Sequence, residues 1–525
     1  MTTPVPGPVR PPATVRPDDA RRALVAGSVG NFIEWYEFGI YGYFATVIAA
    51  QFFTPEGGSE VEGLVKAYAS FALAFFFRPV GAAVFGRFGD RVGRRPALVL
   101  VVGLMTGATA MIGVLPTYAS IGAAAPWLLT LLRILQGLSA GGEFGGAVSV
   151  MTESAPPGRR GLYGAWQSFT VALGLLAGAA VAVVLASVLT TSQLHGWGWR
   201  VPFLLTLPLG LVALRLRLRL PPEEPPAPAP PPTRGPDGRP RPRPRRGETV
   251  RAVLLGVGRM MGWSAAGYTF LVVLPSYLQS TLGTTFQRAL LGTVLANLGF
   301  AASILPAGRL SDRIGRRTVM VAGALLVAVL ALPLLHLLQD PDGPAYAKGA
   351  ALFAAGAGVG LMAGPGPAML AEMFPARVRC TGLGLAYALS NAVFSGCAGL
   401  IITEVVARTA NADVPGYYAA ATCAVSVAAL LTLPRGRPPP GRGGGGPPGT
   451  GPGETRGGGA VGGGARPPGW GVPGGRPGPP GGRPPGRAGG PAGAAAPRHR
   501  DGRSGSCRHP NPSTASHDLS NMLSL

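Results

Sequence analysis

Charge is scarce in this chain. Only 13% of its 525 residues are Asp, Glu, Lys or Arg. That is about half the share a soluble domain carries. Lysine occurs only at Lys66 and Lys348, so the formal charge of +23 rests on arginine. The arginines gather in a linker, a tail and alternate short loops rather than on one aromatic-interleaved patch, which excludes a nucleic-acid partner. The four cysteines are Cys380, Cys397, Cys423 and Cys507, three of them in apolar runs and one in the tail. That pattern excludes a disulfide framework and a zinc site. No nucleophile–base or metal-ligand constellation is visible, so neither an enzyme nor a cofactor is expected. The first 22 residues are rich in Pro and Arg and have no apolar core, so they do not form a cleavable signal.

Long apolar runs fill the space that charge leaves. Hydrophobic residues make up 47% of the chain. About twelve runs reach the roughly 20 residues that a bilayer crossing needs. They predict an all-α integral membrane protein in two sets of six helices, at 23–214 and 249–434. Residues 1–22 are an expected disordered N-terminus, and 215–248 is a Pro/Arg-rich linker. Residues 435–525 are a Gly/Pro/Arg-rich tail that cannot bury a core. The expected partners are the lipid bilayer, protons and a small-molecule substrate, and a monomer is the expected state.

One ten-residue stretch occurs twice. Gly86-Arg87-Phe88-Gly89-Asp90-Arg91-Val92-Gly93-Arg94-Arg95 returns as Gly308-Arg309-Leu310-Ser311-Asp312-Arg313-Ile314-Gly315-Arg316-Arg317. Each copy joins two apolar runs, which marks two homologous halves. So much charge must lie at a membrane surface, and the positive-inside rule assigns the cytoplasmic one. An even number of spans then puts both termini in the cytoplasm of a multi-pass plasma-membrane protein. Gly86, Asp90, Arg91, Gly93 and Arg94, with Asp312, Arg313, Gly315 and Arg316, are candidate gating residues. Glu153 and Glu372, at helix ends on the same side, join them. Asp90→Asn is expected to slow turnover more than Asp312→Asn, because Ser311 and Leu310 already depart from Gly89 and Phe88.

Charges inside the spans carry the functional argument. Glu34 and Glu37 share a face of the first span, with Asn31 and Tyr41 nearby. Intramembrane carboxylates are costly and must be paired or protonated. Burial favours the neutral form and a nearby arginine the charged one, so a carboxylate between these effects can carry a proton. Glu34, Glu37 and Glu143 are therefore candidate proton-coupling residues. Arg78 and Arg133 either clamp a substrate carboxylate or neutralise these glutamates. The second half offers Trp263, Tyr268, Asn297 and Asn391, with aromatic faces suited to a quaternary ammonium.

These stretches resemble the metabolite–proton symporter branch of the major facilitator superfamily. The resemblance rests on GNFIEWYEFGIYG (30–42), FRPVGAAVFGRFGDRVGRR (77–95), QGLSAGGEFGGA (136–147), GWGWRVPFLLTLPLG (196–210) and AEMFPARVR (371–379). It implies proton symport by alternating access. The first span and the GWGWR stretch look most like proline/betaine osmolyte transporters. Carriers of 2-oxoglutarate, citrate and shikimate share the scaffold. A drug–proton antiporter is disfavoured because residues 162–189 lack proline, and a non-transporting sensor because no folded signalling segment is present.

Overall fold

The computed structural model describes residues 17–141, 144, 148, 151–152, 155–156, 158–219, 246–374 and 379–433. The expected linker core, the tail, Glu143 and Glu153 lie outside these, as do the side chains of Asp90 and Arg94 and the surroundings of Gly86.

Among the described residues all regular structure is helical. We number the main helices α1 (Pro17–Tyr43), α2 (Glu60–Val92), α3 (Arg94–Val114), α4 (Ala124–Ala140), α5 (Arg160–Val188) and α6 (Thr191–Leu218). The second set is α7 (Arg246–Tyr268), α8 (Phe286–Ile314), α9 (Arg316–Gln339), α10 (Ala345–Met373), α11 (Thr381–Thr409) and α12 (Val414–Leu431). Nine of these are long and apolar enough to cross a membrane among the described residues. The other three, α1, α4 and α7, are shorter or more polar. They include the helices that carry Glu34, Glu37 and Arg133.

The halves meet along α2 against α11 and α5 against α8, a pseudo-symmetric pair of seams. Both ends of the seam are shut. At the end holding the basic hairpins, Ser168 Oγ donates to the Ala363 carbonyl (2.8 Å). At the opposite end Tyr68 Oη and Ser276 Oγ lie 2.6 Å apart, and Phe44 packs on Phe286. The molecule is therefore in an occluded form.

Two features of the helices position the site. After α7 the chain widens into π-helical turns at Thr269–Val273, and α11 does the same at Asn391–Gly396. Such turns splay side chains inward and recur at functional sites. Small residues also let α2 and α4 touch backbone to backbone. A Cβ on Gly137 would collide with the Ala74 carbonyl, and one on Gly81 with that of Leu138. This contact sets the spacing of Arg78 and Arg133. Gly137→Ala is expected to destabilise the fold by roughly 1–3 kcal/mol, the usual cost of overpacking. The check is the thermal unfolding midpoint in detergent, and an unchanged midpoint would show that α2 and α4 part freely.

The GWGWR stretch packs inward at the end of α3. Trp199 is fully buried against Phe52 and Phe203. Arg200 Nη1 donates to the carbonyls of Gly113 and Leu115 (3.0 and 2.8 Å), which closes the end of α3.

Candidate functional site

Glu34, Glu37, Arg78 and Arg133 converge inside the first half, all buried. Arg78 Nη2 lies 3.4 Å from Glu34 Oε1. Its guanidinium also sits over the rings of Phe75 and Phe38, 4.3 and 4.4 Å from their centroids. Arg133 has no ion pair among the described residues. It sits among Tyr41, Phe71 and Phe38 at 4.2, 4.8 and 5.1 Å. Cation–π contacts of this desolvated kind are worth about 2 kcal/mol or more each. Nη1 of Arg133 donates to Gln136 Oε1 (2.7 Å), while Nε and Nη2 have no hydrogen-bond partner among the described residues. Glu37 also lacks an ion pair among the described residues. Its Oε2 accepts a hydrogen bond from Thr109 Oγ1 (2.9 Å).

A central cavity lies where the halves meet. Trp35 and Ser168 line it from the first half, and Trp263, Ser264, Tyr268, Tyr387, Asn391 and Ser395 from the second. Its free space is about 30 Å³, room for a water or two. A metabolite therefore enters only when the rings move or the halves part. Asn391 Nδ2 donates to the Tyr387 carbonyl (3.0 Å) and its Oδ1 accepts from Ser395 Oγ (2.9 Å). The Tyr268 hydroxyl is buried without a hydrogen-bond partner among the described residues. Its ring packs between those of Phe75 and Trp35.

The structure separates the other expected site residues from this cavity. Asn31 Nδ2 donates to the Gln167 carbonyl (3.1 Å) and to Thr170 Oγ1 (2.6 Å), so it ties α1 to α5. The Tyr41 hydroxyl donates to the Ala67 carbonyl (3.1 Å). Asn297 Nδ2 donates to the carbonyls of Leu271 and Thr293 (3.2 and 2.9 Å), bracing the π turn. Trp35, Thr109 and Gln136 were not singled out from sequence. The signal for Trp35 was its place between Glu34 and Glu37 on α1. Gln136 stands one helical turn from Arg133.

At the basic-hairpin end, Asp312 Oδ1 and Oδ2 accept from the backbone N–H groups of Gly161 and Leu162 (2.8 and 2.9 Å). The second-half hairpin thus caps α5 of the first half. Arg316 Nη1 holds the same carboxylate (2.8 Å), and its Nη2 reaches Glu372 (3.2 Å). Arg91 and Arg313 are exposed. Gly93 and Gly315, with φ of 104° and 95°, begin the following helices in conformations that L side chains avoid.

Residues 23–223 match the family model described as sugar (and other) transporter, and residues 252–468 match that of the major facilitator superfamily. The alpha-ketoglutarate permease of Escherichia coli is 37% identical over 384 residues, covering 72% of this chain and 87% of that protein. The chain belongs to the major facilitator superfamily, in its metabolite–proton symporter branch. The citrate-proton symporter of Klebsiella pneumoniae is 33% identical, covering 75% of this chain and 88% of that one. The ectoine/proline transporter of Corynebacterium glutamicum is also 33% identical, with 81% and 85% covered. Among solved structures, a D-xylose-proton symporter matches with a TM-score of 0.62 at 19% identity, over 79% of this chain and 98% of that one. That likeness concerns the fold. The chain is thus a multi-pass membrane transporter of the facilitator fold and not an enzyme.

Proposed function

We propose that this protein imports a small zwitterionic osmolyte of the proline or betaine type with protons, by alternating access. The observation that carries the reading is the pairing of Arg78 with Glu34 beside a cavity walled by Trp35, Trp263, Tyr268 and Tyr387. A zwitterion's carboxylate has a guanidinium to meet, and its cationic nitrogen has aromatic faces. The names of the ectoine/proline relative and of the proline/betaine transporters of Escherichia coli support it. Glu37, and Glu34 once released from Arg78, would carry the proton, with Glu143 a third candidate.

The same reading puts the protein in the plasma membrane as a monomer, with both termini and the basic hairpins cytoplasmic. The two six-helix halves would rock about the cavity, with 215–248 as their linker. A second reading, uptake of an organic acid, is favoured by two arginines lying together in the first half and by the 37% identity to the alpha-ketoglutarate permease.

Proteoliposomes carrying an inward proton gradient decide between the readings. Labelled proline, glycine betaine and ectoine are expected to accumulate and to stop doing so with a protonophore. Accumulation of 2-oxoglutarate or citrate alone would overturn the first reading in favour of the second.

A further inference from the structure

Glu37 and Arg133 are joined by a chain of hydrogen bonds across three helices. Thr109 Oγ1 on α3 is 2.9 Å from Glu37 Oε2 and 2.9 Å from the Met105 carbonyl. Gln136 Nε2 on α4 donates to that hydroxyl (2.5 Å). Arg133 Nη1 donates to Gln136 Oε1 (2.7 Å). All four residues are buried. The direction of the chain is fixed by chemistry. A guanidinium only donates, so Gln136 must offer it the amide oxygen and turn its N–H₂ to Thr109.

A hydroxyl has one hydrogen and two lone pairs. Gln136 takes one lone pair of Thr109, and the hydrogen has two acceptors in reach. When Glu37 is ionised the carboxylate wins, because charge-assisted hydrogen bonds are roughly twice as strong. When a proton sits on Oε2, Glu37 becomes a donor toward Oγ1 and the Thr109 hydrogen must turn to Met105. Oγ1 then accepts twice, and its hold on Gln136 weakens. Among the described residues Arg133 is otherwise held by ring faces, so this hydrogen bond orients it.

We propose that Thr109 and Gln136 are positioning residues that transmit the protonation of Glu37 to the guanidinium of Arg133. This rests on the reading of Glu37 as a proton site. The proton reaches Oε2 from a hydronium ion, leaving water, and returns to water on the other side, and no other bond is made or broken. Among the described residues the ionisable groups around Glu37 are few. Glu34 and Tyr36 are on its own helix, Arg133 on α4, and Arg78 on α2 lies beyond Glu34. Tyr268 on α7 faces the same cluster. Against Glu37, α3 presents Thr106 and Thr109, and α6 presents Ala213 with Arg217 one turn on. On α5, Thr170, Gly174 and Leu175 face α1, and none of them titrates.

The test reconstitutes the full chain with a trapped pH dye. The probes are labelled proline and, in parallel, 2-oxoglutarate. Thr109→Val keeps the shape and deletes the hydroxyl, Thr109→Ser restores it, and Gln136→Met breaks the next link. Valine and methionine variants are expected to keep counterflow exchange within about twofold of the parent, lose substrate-driven proton influx and flatten the pH profile of uptake. Serine is expected to restore influx and profile. Should Thr109→Val not fold, Gln136→Met alone carries the same expectation. Parental influx and pH profile in a folded valine or methionine variant, with influx lost in Glu37→Gln, would overturn the relay alone. Parental influx in Glu37→Gln would overturn the proton-site reading instead.

Discussion

Glu37→Gln is expected to end uphill uptake. With the membrane potential clamped at zero, one unit of inward pH gradient sustains about a tenfold accumulation for each proton carried, because 1.36 kcal/mol is tenfold. The variant's ratio should fall to about one while counterflow survives. Glu37 is buried completely, accepts from Thr109 and has no ion pair among the described residues. A buried charge without a partner costs several kcal/mol, so a bound proton relieves that cost and its loss restores it. Glutamine mimics the protonated form permanently and removes the cycle. Glu34 differs, since Arg78 lies 3.4 Å away. Glu34→Gln would leave Arg78 without its charge partner, and a change in substrate affinity larger than the change in accumulation ratio is expected. Accumulation at the parental ratio in Glu37→Gln, measured under the clamp, would remove Glu37 from the proton path.

The fold was legible because lipid solvation is demanding. Apolar runs of bilayer length can only be helices, and the repeated hairpin at 86–95 and 308–317 divides them into halves. The cost of an intramembrane charge likewise pointed to Glu34, Glu37, Arg78 and Arg133, and the structure brings these four together. What a single sequence does not encode is which helices touch. Asn31 reads as a cavity residue from its face on α1, yet α5 lies against that face and takes both ends of its amide. Thr109 looks like any threonine in an apolar helix until α1 and α4 arrive on either side of it. Part of the cavity lining, Leu271, Val272, Asn391 and Ser395, comes from the π turns after α7 and in α11, whose wide backbone has no sequence signature of its own. The occupant of the cavity is not legible in the scaffold, since relatives named for alpha-ketoglutarate, citrate and ectoine or proline align over most of this chain at similar identity.

Asp312→Asn is expected to loosen the closure at the basic-hairpin end and to slow the transport cycle about tenfold. The carboxylate accepts both N–H groups at the start of α5 and also holds Arg316, so it joins the halves by charge-assisted bonds. A hydrogen bond to a charged group contributes roughly 1.5–3 kcal/mol, and the positive end of the α5 dipole adds to it. Asparagine has one acceptor oxygen and turns an N–H₂ toward a helix end that only donates, so at least one of these bonds is lost. A loss of about 1.4 kcal/mol or more shifts the closed–open balance at least tenfold toward the form open at this end. Sequence alone ranks Asp90 above Asp312, but the cap on α5 gives Asp312 a contact that its differing neighbours do not hint at. Gly164 packs against Ala368 across the same seam. Ala368→Cys in a cysteine-free background therefore reports its opening through maleimide labelling. Labelling should quicken about tenfold when Asp312→Asn is added, while proline or 2-oxoglutarate still protects the carrier from heat. An unchanged labelling rate together with a parental uptake rate would show that the seam is held by packing at Gly161 and Gly164 and that the Asp312 cap contributes nothing to closure.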